Sequence, residues 1–239
     1  MSTVVEQQHP VPLWEDFVDI FVSPAAVFRR RADAGWGLPL AIIAAVFLAL
    51  YYALLPANEL IMRAALQAQA AGKPGVDPKT LEAAAQRMRY LGGIFVPIAV
   101  AVSTLATGAL LWLFGRLAEG RVTFRNAMIV ATYSGFILVL QQVAVSVLLI
   151  VKDNRGLPID RTRDISMGVL RFLPAGDLSP ITSALLGRLD VFAIWQMVLW
   201  IVGLRVIARF TRGEAFLAGI GTWLLLAAPA LLRGLAPGQ

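Results

Sequence analysis

The chain has 239 residues, 58% hydrophobic and only 15% charged, whereas soluble domains carry about a quarter charged residues, so lipid must be part of its solvent. Its formal charge of +6 comes from arginines scattered over loops and segment ends, which argues against a nucleic-acid surface and for anionic lipid headgroups. The absence of cysteine excludes disulfides and thiolate chemistry, and the length suits one helical bundle without a large soluble domain.

Met1 to Pro12 has neither the basic start nor the apolar core of a cleavable signal. Leu13 to Arg31 reads as two short helical elements, with Trp14, Phe17, Ile20 and Phe21 giving an apolar side and Ser23–Pro24 restarting the helix. Phe28 followed by Arg29, Arg30 and Arg31 pairs an apolar anchor with cations, the pattern of a segment lying at the membrane interface. The predicted organisation is therefore a tail and interfacial segment over 1–35 and a membrane domain over 36–239.

A bilayer core of about 30 Å needs roughly 20 apolar helical residues, and five stretches reach or approach that length. They run at about 36–56, 91–114, 127–151, 191–207 and 215–232. The first carries Ala41, Ala45, Ala49 and Ala53 along one face, a spacing that lets another helix approach closely. Between it and the second, Ala57 to Tyr90 has a helical pattern broken at Gly72 to Pro78, which predicts a hairpin at the surface.

The second span concentrates Ser103, Thr104, Thr107 and Gly108 at its middle, and the third aligns Thr132, Gly135, Gln142 and Ser146 on one stripe. The long loop from Lys152 to Leu189 is charged early and apolar later, and Ser179–Pro180 predicts a short re-entrant or interfacial helix. Asp190 and Arg205 flank the fourth span as boundary residues. In the fifth, Ala215 and Gly219 form a close-packing pair. The fold class expected is an all-α integral membrane bundle of five transmembrane helices with an N-terminal interfacial segment.

Orientation follows from the density of basic residues in short connections. Arg116, Arg121 and Arg125 crowd the turn after the second span, and Arg205, Arg209 and Arg212 crowd the turn after the fourth. With Arg29 to Arg31 they predict a cytoplasmic N-terminus and an outside C-terminus. Arginine outnumbers lysine eighteen to three, a footprint of a GC-rich genome that suggests a bacterial cytoplasmic membrane.

Catalysis would need grouped acids, bases or ligands. The only histidine, His9, sits in the polar tail, and no metal-ligand cluster, His-Glu-x-x-His or Gly-x-Ser-x-Gly motif occurs. No enzyme activity, metal or cofactor is expected; an intramembrane hydrolase would have only Asp164 and Asp190 to use. Tyr133, Gln141, Gln142 and Gln196 form the candidate intramembrane polar cluster, which either joins helices by hydrogen bonds or lines the cavity of a small-molecule permease. The candidate lipid or partner contacts are Arg29, Arg30, Arg31, Arg116, Arg121 and Arg125. The partners they imply are the bilayer, and either a membrane protein or a second copy of the chain.

Three motifs resemble the Yip family of Ypt-interacting membrane proteins. Phe21, Ser23, Pro24 and Phe28 are similar to its Phe-x-Ser-Pro-x-x-x-Phe lead. Gly115, Gly120, Thr123, Phe124, Tyr133 and Ser134 resemble its short loop and the opening of the third span. Asp190, Phe192, Trp195, Leu199 and Gly203 follow its order in the fourth. The resemblance implies a five-helix bundle and, in eukaryotic members, Rab-type GTPase binding and roles in vesicle traffic. The Asp-Leu-Tyr-Gly-Pro signature is replaced by a partial echo, Asp177, Leu178, Ser179 and Pro180, in a different place, so Rab binding is not carried over. The expectation is a non-enzymatic scaffold or accessory protein acting through helix, partner and lipid contacts.

Overall fold

A computed structural model describes residues 12–71, 78–157, 159, 161–173 and 178–228. The tail with His9, the break at 72–77, Asp160, Asp177 and the last residues of the fifth span, including Pro229, lie outside the described residues. Among those described, the chain is all helical, with one isolated β-bridge joining Gly168 to Asp190.

Eleven α-helices follow in order: α1 (Leu13–Val22), α2 (Pro24–Arg31), α3 (Gly37–Ala53), α4 (Leu55–Ala71), α5 (Pro78–Leu117), α6 (Phe124–Ser134), α7 (Phe136–Asn154), α8 (Arg161–Asp164), α9 (Pro180–Gly187), α10 (Val191–Ile207) and α11 (Arg212–Leu225). Two stretches are long and apolar enough to cross a membrane, Arg89–Leu117 and Phe124–Asn154. A third arises if Gly37–Ala53 and Leu55–Arg63 count together, although the chain bends by 76° between them. α10 is apolar but shorter, and α11 has 14 residues, so length and composition do not by themselves establish five crossings.

The core is a ring of four helices made from two hairpins. α5 and α6 form one, α10 and α11 the other; α6 packs on α10 and α11 on α5. Both hairpins turn at the same end. There the Phe210 ring lies against Gly115 and Gly120, and Val122 also packs on Gly115, so a Cβ at Gly115 would come 2.7 Å from Val122 and 3.1 Å from Phe210. The second helix of each hairpin starts alike. Thr123 accepts from the backbone N–H of Asn126, and Thr211 accepts from that of Glu214, whose carboxylate returns a bond to the Thr211 N–H at 2.8 Å. The buried side chains just before the caps, Val122 and Phe210, staple each turn to the core.

α5 departs from the sequence expectation by running 40 residues without interruption, so the surface helix and the second span are one element. At 1.5 Å per residue it is about 60 Å long, twice the hydrocarbon thickness. Ala, Leu, Arg, Gln and Met dominate its first half and favour continuation. Gly92 and Gly93, where a break was conceivable, instead receive the Tyr51 and Tyr52 rings from α3, and the Tyr51 hydroxyl donates to the Arg89 carbonyl at 3.0 Å. The alanine face of α3 is not used against another helix: Ala41, Ala45, Ala49 and Ala53 are exposed, while Leu40 and Ile43 point inward.

At the opposite end, the loop after α7 folds into a cap. Lys152 donates to both oxygens of the buried Asp164 carboxylate at 2.6 and 2.8 Å, with Arg171 3.9 Å away. Ser179 and Pro180 start α9 as the sequence suggests, the Ser179 hydroxyl accepting from Thr182 N–H. Arg188 reaches α11, donating to the Trp223 carbonyl at 3.0 Å and lying over its ring; burial lowers its pKa. Asp164→Asn is expected to cost about 2 kcal/mol, by weakening charge-assisted bonds to a shielded lysine. Thermal unfolding in detergent checks this, and an unchanged midpoint would show that the cap contributes nothing to the stability of the bundle.

Candidate functional site at the hairpin-turn end

α1 and α2 form a short hairpin wedged into the bundle rather than a segment merely resting on it. Ile20, Val27 and Phe28 are fully buried in the main core. Phe28 sits over Gly203 of α10, and Phe21 meets the Trp195 ring edge-on at 6.0 Å, about 12 Å farther along the same helix. Phe17 stacks on Phe136 of α7 at 3.9 Å. Trp14, by contrast, points outward with Val18 and Val22.

The hairpin carries charge inward. Asp16 is fully buried and accepts from Arg30 Nε at 2.6 Å and Arg31 Nε at 2.7 Å, while Arg30 also donates to Asp19 at 2.7 Å. Burial by itself would lower the Arg30 pKa, but the hydrogen bonds to Asp19 and Asp16 outweigh it, and the net displacement is upward. Tyr133, buried about 13 Å along the helix from Phe124, lies within electrostatic reach of Arg31, Asp16 and Arg30. Charges thus reach the depth of the third long apolar segment although none stands at the centre of a span in the sequence.

This cluster has a readable signal that hydropathy alone hides. Asp16 and Arg30 lie equally far on either side of Ser23, as an antiparallel pair about a Ser-Pro turn requires. Of the arginine triplet, only Arg29 is exposed; Arg30 and Arg31 keep 24% and 17% of their side chains accessible.

The remaining expected contacts are distributed as follows. Arg116 and Arg121 are exposed, and Arg125 donates to the Asp33 and Ala34 carbonyls, tying the chain after α2 to the start of α6. Arg125→Ala is expected to cost about 1 kcal/mol for these lost bonds, measurable as a lower unfolding midpoint; equality with the parent would show that water replaces them. Gln142 donates to Asn58 of α4 and to Ser146 of its own helix, both at 3.3 Å. Gln141 and Gln196 are half-buried, and neither they nor Gln142 share a hydrogen bond with Tyr133 among the described residues. The structure therefore packs the Tyr133 ring edge-on against Phe136, which stacks on Phe17 of the hairpin, and bonds Gln142 to α4.

The motif residues serve packing and capping. Pro24 opens α2, with Ser23 exposed at the turn. Phe124 meets Trp112 edge-on at 6.3 Å, and Gly120 makes room for Phe210. Asp190 is buried and caps α10 through Phe192 N–H at 2.8 Å, while its second oxygen accepts from Met167 N–H at 2.6 Å. Gly203 admits Phe28 and Val130.

Long apolar helices with exposed apolar flanks, joined into one bundle by buried polar and glycine contacts, define an integral, multi-pass α-helical membrane protein. The family model of the Yip1 domain matches residues 18–232, from within the wedged hairpin through α11. The chain belongs to the Yip1 domain family. Searches among curated proteins and among solved structures return no match.

Proposed function

We propose that this protein is a non-enzymatic scaffold or accessory subunit of a bacterial cytoplasmic membrane, acting through its lipid-facing helices and its hairpin-turn end. The observation that carries the reading is the gathering of exposed Arg29, Arg116, Arg121, Arg205, Arg209 and Arg212 at or near the turns that Phe210, Gly120 and Arg125 hold together. Such a surface suits anionic headgroups, with about 1 kcal/mol available per basic residue near the membrane. In this reading the chain crosses five times, the basic end faces the cytoplasm, and a partner protein or a second copy packs along the apolar flanks.

The test is purification from native membrane followed by native mass spectrometry. Retained anionic lipid or a stoichiometric partner is expected, with lipid retention falling several-fold in Arg29→Gln/Arg116→Gln/Arg121→Gln. A lipid-free monomer with no partner would overturn the proposal. A reporter fused after Gln239 is expected to lie outside the cytoplasm, and a cytoplasmic reporter would overturn the five-crossing topology.

A further inference from the structure

The two hairpin turns share an unusual backbone choice. Among the described residues, only Glu119 and Arg209 combine a side chain with a left-handed backbone, at φ 60° and 56°. Each follows the first helix of its hairpin, a position where glycine avoids the Cβ penalty. For Glu119 the surrounding bonds are those of a Schellman turn, Gly120 N–H to Gly115 carbonyl at 3.0 Å and Glu119 N–H to Arg116 carbonyl at 3.1 Å. Nothing in these turns requires a charged side chain.

Both residues line one open cleft of about 470 Å³ between the turns, together with Arg121, Asn126, Phe210 and Glu214. That volume falls within the range of small-ligand sites. Two arginines and two glutamates face this space, yet no ion pair joins them among the described residues. A simple anion would meet the glutamates, and a simple cation would meet the arginines. A ligand carrying both charges a few bonds apart satisfies both.

We propose that this cleft binds a phosphoamine headgroup, a phosphate ester bearing a primary ammonium, with Arg121 and Arg209 on the phosphate and Glu119 on the ammonium. Phe210 and Ile207 supply an apolar wall for the ester carbons. The assignment rests on the proposed contact of this end with the membrane surface, and the same chemistry occurs in a phosphoethanolamine lipid or in soluble phosphoethanolamine.

Full-length protein in neutral detergent is titrated with phosphatidylethanolamine, phosphatidylcholine, phosphatidylglycerol or soluble phosphoethanolamine, and its unfolding midpoint is followed. Phosphatidylethanolamine is expected to raise the midpoint by about 5 °C and the other two lipids by clearly less. The same rise with soluble phosphoethanolamine would keep the headgroup assignment and overturn the lipid source. Glu119→Gly/Arg209→Gly is expected to raise the lipid-free midpoint, because glycine relieves the left-handed strain, while abolishing the phosphatidylethanolamine response. Arg121→Gln, in an exposed turn, is expected to weaken the response without that gain.

A response that persists in both variants would overturn the cleft, as would an equal response to phosphatidylcholine. An equal response to phosphatidylglycerol would overturn the cleft but leave the basic-surface proposal standing. Purification from native membrane as a lipid-free monomer with no partner would remove that broader proposal, whatever the cleft binds in detergent.

Discussion

Asp16→Ala is expected to lower the unfolding free energy by about 3 kcal/mol, among the largest single-residue effects in this protein. The carboxylate is fully buried and is the shared acceptor for two guanidinium groups that are themselves mostly covered. Removing it takes away the counter-charge that two neighbouring cations of α2 share, while Asp19 remains beside Arg30. Asp16→Asn retains an acceptor oxygen but loses the charge, so it is expected to fall between the parent and alanine. Arg30→Met/Arg31→Met in the Asp16→Leu background replaces the charges by apolar volume and is expected to recover much of the loss. Equilibrium unfolding in detergent measures all three. A loss below about 1 kcal/mol for Asp16→Ala would mean that water already solvates the arginines and that the hairpin is held by its aromatic contacts alone.

Gly203→Leu is expected to cost about 3 kcal/mol by expelling α2 from its seat on α10. A Cβ there would stand 2.8 Å from both methyl groups of Val130 and 3.0 Å from the Phe28 ring. All three helices meet at this point, and Val130 and Phe28 are fully buried, so no outward rotamer relieves the overlap. Gly203→Ala should cost less, because it adds one carbon rather than four, although at 2.8 Å the Val130 methyl groups must still shift to admit it. Phe28→Ala in the leucine background is expected to return part of the stability, as neighbouring sites do not add independently. The unfolding midpoints of the parent, Gly203→Leu, Phe28→Ala and the double variant make a cycle, and strict additivity would show that Phe28 is not what the leucine displaces.

These two sites mark what was legible in the sequence. The Phe-x-Ser-Pro lead and Gly203 were visible as motif residues, but a one-dimensional pattern does not disclose that they touch across α2 and α10. α10 itself begins and ends where its apolar run and Asp190 cap place it, because one side chain and one hydropathy edge decide both limits. α11 starts earlier than its apolar run: the Thr211–Glu214 capping box carries polar Arg212 and Gly213 into the helix. α5 swallowed the boundary expected near Tyr90 because the Tyr51 and Tyr52 rings cover the paired glycines. An apolar anchor followed by three cations, Phe28 to Arg31, predicts an interfacial segment but not its internal salt bridges, because Asp16 and Asp19 are local acids in sequence and become partners only when the chain doubles back at Ser23.

The long α5 helix also has a mechanical consequence. The tyrosine pair rests on Gly92 and Gly93, leaving an arm of about 21 Å toward Pro78 and one of about 37 Å toward Leu117. No loop interrupts this rod to dissipate a displacement, and Pro97, the proline inside it, is the natural compliant point. Because Pro97 lies between the tyrosine pair and the Leu117 tip, bending there takes up part of any displacement before it reaches the tip. The tip carries Arg116 and leads into the turn beneath Phe210, so one uninterrupted helix joins the tyrosine-covered glycines to an arginine-bearing turn.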